Sequence, residues 1–226
     1  MTSPATSSPF NFHDYRIVIA GGSKGIGRSM ALAFAASGAA ISICARGQAA
    51  LDETAEAIAA HGAPVHTQSC DLGDAAAITS YIENAARALG GIDVLINNAS
   101  GYGFEDKEED WVAGFNIDMM APVRASHAAL PHLSKSAHAS ILHTSSIAGL
   151  YPRPNTPPYG AMKAALCHYT TSQAPGARAT AHPRQRHRTR LHRVRRRLVG
   201  SLQARRSGAL RHRAVENSVR PLRHAG

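Results

Sequence analysis

A run of β-branched residues, Arg16–Ala20 (RIVIA), passes directly into Gly21-Gly22-Ser23-Lys24-Gly25-Ile26-Gly27 and then into an alanine-rich stretch over residues 28–37. Strand, glycine turn and helix in that order constrain the fold more than any other feature of the chain. Glycines allow a tight turn and close backbone approach, and a helix N-terminus presents unpaired N–H groups to a pyrophosphate. The glycines fall at 21, 25 and 27, a GxxxGxG spacing and not GxGxxG. Gly21, Ser23, Lys24, Gly25, Ile26 and Gly27 are therefore the candidate phosphate cradle.

The same alternation continues along the chain. Residues 40–44 read as a second strand and 48–60 as a helix, 65–69 as a third strand and 75–89 as an amphipathic helix. Residues 92–96 follow as a fourth strand, 107–133 as one long helix and 140–144 as a fifth strand. Strands separated by helices of this length imply a parallel sheet with helices on both faces, an α/β doubly wound fold of the Rossmann type. Ligands then bind at the carboxyl ends of the strands.

Those ends carry polar residues. Arg46 follows the second strand, where an acid would hold a ribose 2′-hydroxyl and an arginine suits a 2′-phosphate. Lys24 supplies a second cation, so the reading is NADP, with NAD possible. Asp71 and Leu72 after the third strand face the adenine position. Asn98 and Ala99, within Asn97-Asn98-Ala99-Ser100-Gly101, brace the cofactor after the fourth. The acidic run over residues 106–110 reads as a helix first turn, where carboxylates complement the macrodipole.

Beyond the fifth strand, Ser146 precedes Tyr159 by thirteen residues and Lys163 follows Tyr159 by four. On a helix, positions i and i+4 share a face, which puts an ammonium near a phenol. A free tyrosine ionises near pH ~10, and a neighbouring cation lowers that value. Ser146 adds a hydroxyl to the same substrate oxygen. Asn116, inside the long helix, is a polar residue in an unfavourable position.

Composition divides the chain in two. Residues 1–174 hold 10 Lys and Arg against 14 Asp and Glu, together with all twelve aromatic residues. Residues 175–226 hold 15 Arg and one acid, Glu216, so the net charge of +10 comes from this part alone. Cys44, Cys70 and Cys167 lie far apart without a CxxC pair, which implies neither a disulfide framework nor a metal site. Residues 1–14 read as a disordered Ser/Thr/Pro-rich leader without the apolar core of a signal peptide. No segment has the length of a membrane-spanning helix, and the expected location is cytoplasmic.

Together, AGGSKGIG at residues 20–27, Asp71, NNAS at 97–100, Asn116, Ser146, Tyr159 and Lys163 resemble the short-chain dehydrogenase/reductase family, over about residues 16–174. Ala20 stands where the family usually has threonine, and Ser100 where it has glycine. The resemblance implies a single domain over residues 15–174. It also implies an oxidoreductase that interconverts a ketone and a secondary alcohol, similar in general terms to 3-oxoacyl-carrier-protein reductases. Tyr159 would be the general acid, Ser146 the polarising hydroxyl, and Lys163 the group that tunes Tyr159 and holds the nicotinamide ribose. Asn116 would anchor a water leading from Lys163 to solvent. Homodimers or homotetramers built on the helices holding Asn116 and Tyr159 are implied as well.

The family continues into a sixth strand, a proline-glycine turn, a substrate lid and a seventh strand. Residues 175–226 show none of these. With GC-rich codons read one base later, residues 175–178 can give RELA, 181–194 RIRVNAIAPGSIEF and 217–226 TPFGRYGTP, family-like segments in family order. The expectation is therefore a single-base frameshift near codon 174 or 175, leaving a chain that folds poorly or lacks activity as written. The alternative is a non-catalytic protein that uses the basic tail on nucleic acid.

Overall fold

The computed structural model describes residues 10–179. Five parallel strands form one sheet: β1 (Arg16–Ala20), β2 (Ala40–Ala45), β3 (Val65–Ser69), β4 (Val94–Asn97) and β5 (Ser140–His143), in the order β3-β2-β1-β4-β5. The order reverses direction between β1 and β4, so their carboxyl ends open the crevice where a doubly wound sheet takes its ligand. Register follows apolar pairing, with Ile17 opposite Ile41 and Val94 and Ile19 opposite Ile43 and Ile96.

The central strands β1, β2 and β4 are buried on both faces, which explains why β1 and β2 are nearly continuous apolar runs. Helices α1 (Gly25–Ala35) and α2 (Gln48–Ala59) cover one face, closing Ala31, Ala35, Leu51 and Ile58 over Ile17, Ile19, Ile41 and Ile43. On the other face α3 (Ala75–Leu89) and α5 (Ala121–Leu133) close Ile78, Tyr81, Ile82, Ala125 and Ala129 over Val18 and Leu95. Asp74 caps α3 by accepting from the Ala76 and Ala77 N–H groups, and Gly90 ends it in a left-handed conformation.

Two expectations change here. The helix expected over residues 107–133 is interrupted: α4 (Glu108–Gly114) leads into a π-helical turn, Phe115–Met120, before α5. Part of the leader expected over residues 1–14 packs on the domain, and residues 1–9 lie outside the described residues. Phe12 packs edge-on against Phe34 at 4.9 Å and Tyr15 at 5.2 Å, and its N–H donates to Ser37 O, because an aromatic ring gains more by covering α1 than by facing water. Helix α6 (Pro157–Ala179) runs five residues past the compositional boundary at Ala174. The expectations for the basic tail fall mainly on residues 180–226, which lie outside the described residues.

Candidate active site

The β1–α1 turn is shaped by glycine where a side chain has no room. Gly21 has φ +85°, and a Cβ there would press on Ala99 at 2.8–2.9 Å. A Cβ on Gly27 would meet Gly21 O and the Asn98 amide. The α1 first turn has no side-chain cap and no acid of its own, so its N–H groups are left for an anionic ligand. Thr54 on α2 donates to Ser23 O at 3.0 Å and fixes the turn from behind. Lys24 and Arg46 are exposed beside it, and Ile26 is 66% exposed, an apolar side chain set at the cradle mouth. This cradle suits a dinucleotide pyrophosphate.

From the turn, one line of hydrogen bonds leads to the Tyr-Lys pair. Asn98 Nδ2 donates to Gly21 O at 2.9 Å, and Thr144 Oγ1 donates to Asn98 Oδ1 at 3.1 Å. Lys163 Nζ then donates to Thr144 O at 2.9 Å. The ends of β1, β4 and β5 and the first turns of α6 are thereby held at fixed spacing. Lys163 Nζ lies 5.6 Å from the Tyr159 ring centre, on the helical face that the i, i+4 spacing predicts. Ser146 Oγ accepts from Ala148 N–H at 3.2 Å, which leaves its own proton to donate elsewhere. The Phe104 ring stands edge-on to Tyr159 at 5.4 Å.

The structure brings Asp118, not Asn116, to Lys163. Asp118 Oδ1 lies 3.0 Å from Lys163 Nζ, with both side chains nearly inaccessible to water. Asn116 is half-buried, and its backbone carbonyl is taken by the Ala121 N–H in the π-helical turn. Asp118 had a signal in the sequence: it falls on one stripe with the buried Ala121, Ala125 and Ala129, where an acid needs a partner. Thr144 looks in the sequence like a strand end, and nothing in its pattern marks it as the link between Asn98 and Lys163.

The remaining candidates divide by exposure. Asp71 is exposed and accepts from the Gly73 N–H at 2.9 Å. Leu72 is a core side chain, buried in the cluster that holds Ile78 and Tyr81, so a contact with an adenine there would fall to its backbone. Tyr102, whose ring meets Phe104, is more than half exposed, as are Ile147, Leu150 and Tyr151 in and after the short 3-10 helix Ile147–Gly149 that packs on α6. They form an apolar rim that the sequence reading did not assign.

Residues 15–180 match the family profile described as short chain dehydrogenase. The chain belongs to the short-chain dehydrogenase family. An uncharacterized oxidoreductase of Bacillus subtilis is 31% identical over 168 residues, which cover 73% of this chain and 63% of that protein. An isoepoxydon dehydrogenase of Penicillium expansum is 35% identical over 153 residues, covering 66% of this chain and 59% of its own length. This chain thus spans less than two thirds of the length of these two relatives. The solved structure of NAD+-bound xylitol dehydrogenase has the same fold, with a TM-score of 0.71 at 24% identity over 75% of this chain and 67% of that one. Among the described residues no helix is long and apolar enough to cross a membrane.

Proposed function

We propose that this short-chain dehydrogenase family member carries the site of an NADP-preferring oxidoreductase that interconverts a ketone and a secondary alcohol. One observation carries the reading: the hydrogen-bonded line from Gly21 through Asn98 and Thr144 to Lys163, which sets a phosphate cradle and a Tyr-Lys pair in one crevice. A bound nicotinamide supplies the hydride in carbonyl reduction. Gly21, Gly25, Gly27 and the α1 N-terminus hold its pyrophosphate, and exposed Arg46 and Lys24 favour a 2′-phosphate. Tyr159 donates a proton to the carbonyl oxygen. Ser146, oriented by the bond it accepts from Ala148, donates a second hydrogen bond to that oxygen. The apolar rim around Tyr159 suits a substrate with a hydrocarbon or acyl body, in keeping with a 3-oxoacyl type.

We also read residues 175–226 as the product of a shifted frame, and the corrected chain as the active enzyme, a homodimer or homotetramer. Resequencing the coding DNA across codons 165–185 tests this, an extra or missing base being the expected result. For the site, Tyr159→Phe in the folded enzyme is expected to abolish turnover while NADPH still binds, read by NADPH oxidation and by fluorescence titration. Loss of both together would count against the assignment.

A further inference from the structure

Cys44 and Cys70 lie far apart in the sequence, and the sheet brings them together. Both are free, buried thiols, Cys44 wholly inaccessible and Cys70 3% exposed. Cys44 on β2 stands opposite Gln68 on β3, and Cys70 comes two residues later, so the pleat turns its side chain to the same face as that of Gln68. The Cys70 N–H donates to Ala45 O at 2.9 Å, which carries the parallel pairing one residue past the end of β3. Both side chains enter the core cluster that α3 covers, and their sulfurs lie in hydrogen-bond contact.

This pair sits directly beneath the glycine turn. Cys44 O accepts from both the Gly21 and the Gly22 N–H at 3.1 Å, so the residue that seats the turn is also one of the two thiols. On the β3 side, Ser69 Oγ donates to Arg46 O at 3.1 Å, and exposed Asp71 follows Cys70. Displacing either strand end therefore moves residues that shape the cradle.

The two thiols are chemically unlike. Burial pushes the Cys44 thiol well up, so it keeps its proton and serves as the donor. The hydrogen bond from Cys44 pulls the Cys70 thiol down, against its own burial and the charges of Asp71 and Asp74. Cys70 is thus the sulfur nearer to thiolate, the nucleophilic form. Tyr81 stands beside the pair as a neutral phenol, held so by its burial first.

We propose that Cys44 and Cys70 form an oxidation site, which hydrogen peroxide converts to a disulfide that distorts the phosphate cradle and weakens dinucleotide binding. The Cys70 sulfur attacks one peroxide oxygen, the O–O bond breaks, and the departing hydroxide takes up the Cys70 proton as water. Cys70 is left as a sulfenic acid. The Cys44 sulfur then displaces the hydroxyl from the Cys70 sulfur, and the Cys44 proton leaves with it as a second water. One peroxide is reduced to two waters while two thiols are oxidised to one S–S bond. A disulfide holds its sulfurs about 2 Å apart, closer than two thiols in contact, so the ends of β2 and β3 must draw together. As an edge strand, β3 has a neighbour on one side only and yields more readily than β2, but Cys44 is pulled against the turn that it seats.

The effect on the dinucleotide rests on the cradle reading, whereas the bridge itself does not. The reduced 226-residue chain is treated with stoichiometric hydrogen peroxide, then assayed by thiol titration and by mass spectrometry of a non-reducing digest. Two of the three cysteines are expected to disappear from the thiol count, to be found in one cross-linked peptide joining Cys44 to Cys70, and to return with dithiothreitol. Cys70→Ala is expected to abolish the loss, with Cys44→Ala as the second variant should that chain not fold, and Cys167→Ala is expected to leave it unchanged. A folded chain in which both thiols stay reduced, in which Cys70 passes to sulfinic acid unlinked, or in which the bridge engages Cys167 would overturn the proposal.

NADPH titration is scored separately. The bridged chain is expected to bind about tenfold more weakly than the reduced chain, with affinity recovered on reduction. Equal affinity in the two forms would overturn the coupling. A reduced chain that binds no NADPH contradicts the cofactor reading and the coupling with it, while the peptide map alone decides the oxidation site.

Discussion

Gly27 is a position where a single methyl group decides whether the cradle exists. Its Cβ would be driven into the Gly21 carbonyl and the Asn98 amide, and Asn98 begins the line that ends at Lys163. Gly27→Ala is therefore expected to weaken NADPH binding at least about tenfold, a loss of about 1.4 kcal/mol, with a smaller effect on the melting temperature. A fluorescence titration beside a thermal melt separates the two, and unaltered affinity would show that the turn does not hold the pyrophosphate. At this scale the sequence was informative where chemistry has a fixed spacing. Gly21, Gly27, Tyr159 and Lys163 come together as their intervals require. Asn116 stands out by its polarity within a helix, whereas the partner of Asp118 is set by how α6 meets the π-helical turn, which spacing along the chain does not give.

Strands and helices were legible almost to the residue in β3 and α3, whose predicted ranges coincide with those observed. There the turn residues and the cap at Asp74 mark the ends. The cross-links between elements could not be read, because they depend on which side chains the sheet brings side by side. Ser42 on β2 lies 2.9 Å from His66 Nδ1 on β3 and donates to the hydroxyl of Tyr81 on α3 at 3.1 Å. Burial pushes the His66 imidazole below the ordinary histidine value. The fold thus prefers neutral His66, while the unfolded chain protonates it near pH ~6.5. This contribution to stability is complete above about pH 6.5 and is lost as the pH falls towards the lower value of the folded state. His143 acts in the same sense. The urea midpoint is expected to fall between about pH 7 and 5, and His66→Asn is expected to reduce that slope; an identical slope in the variant would refute the link.

A second cross-link acts at lower pH. The Asp93 carboxyl would be raised by its burial, yet hydrogen bonds from Arg16 and Ser136 hold it at about 2. Arg16 Nε and Nη2 each lie 2.8 Å from it, fastening the start of β1 to β4. Its stabilisation is present above the unfolded carboxylate range near pH ~4 and is lost as the pH falls towards 2. Asp93→Asn is expected to cost about 2 kcal/mol at neutral pH, measured by urea unfolding. A loss that persisted unchanged at the acid end would contradict this account.

Over the described residues the sheet ends in two edge strands, β3 and β5. Strands β1, β2 and β4 are buried on both faces, whereas β5 at the edge leaves Leu142 43% exposed. An unpaired strand with an exposed apolar residue invites edge-to-edge association. The chain spans 63% of the length of the Bacillus subtilis relative. Light scattering is expected to show concentration-dependent self-association, reduced by Leu142→Lys, since a charge on an edge strand opposes pairing. A wild-type chain that stays monodisperse would remove that expectation. The phosphate cradle is built from β1, β2, β4 and α1, away from this edge, so pyrophosphate binding is expected without β5 being covered. The most direct test of the central claim is accordingly a fluorescence titration of the 226-residue chain and its Tyr159→Phe variant with NADPH. Saturable binding of similar affinity in both is the predicted result. A chain that is folded by circular dichroism and binds neither NADPH nor NADH would contradict it.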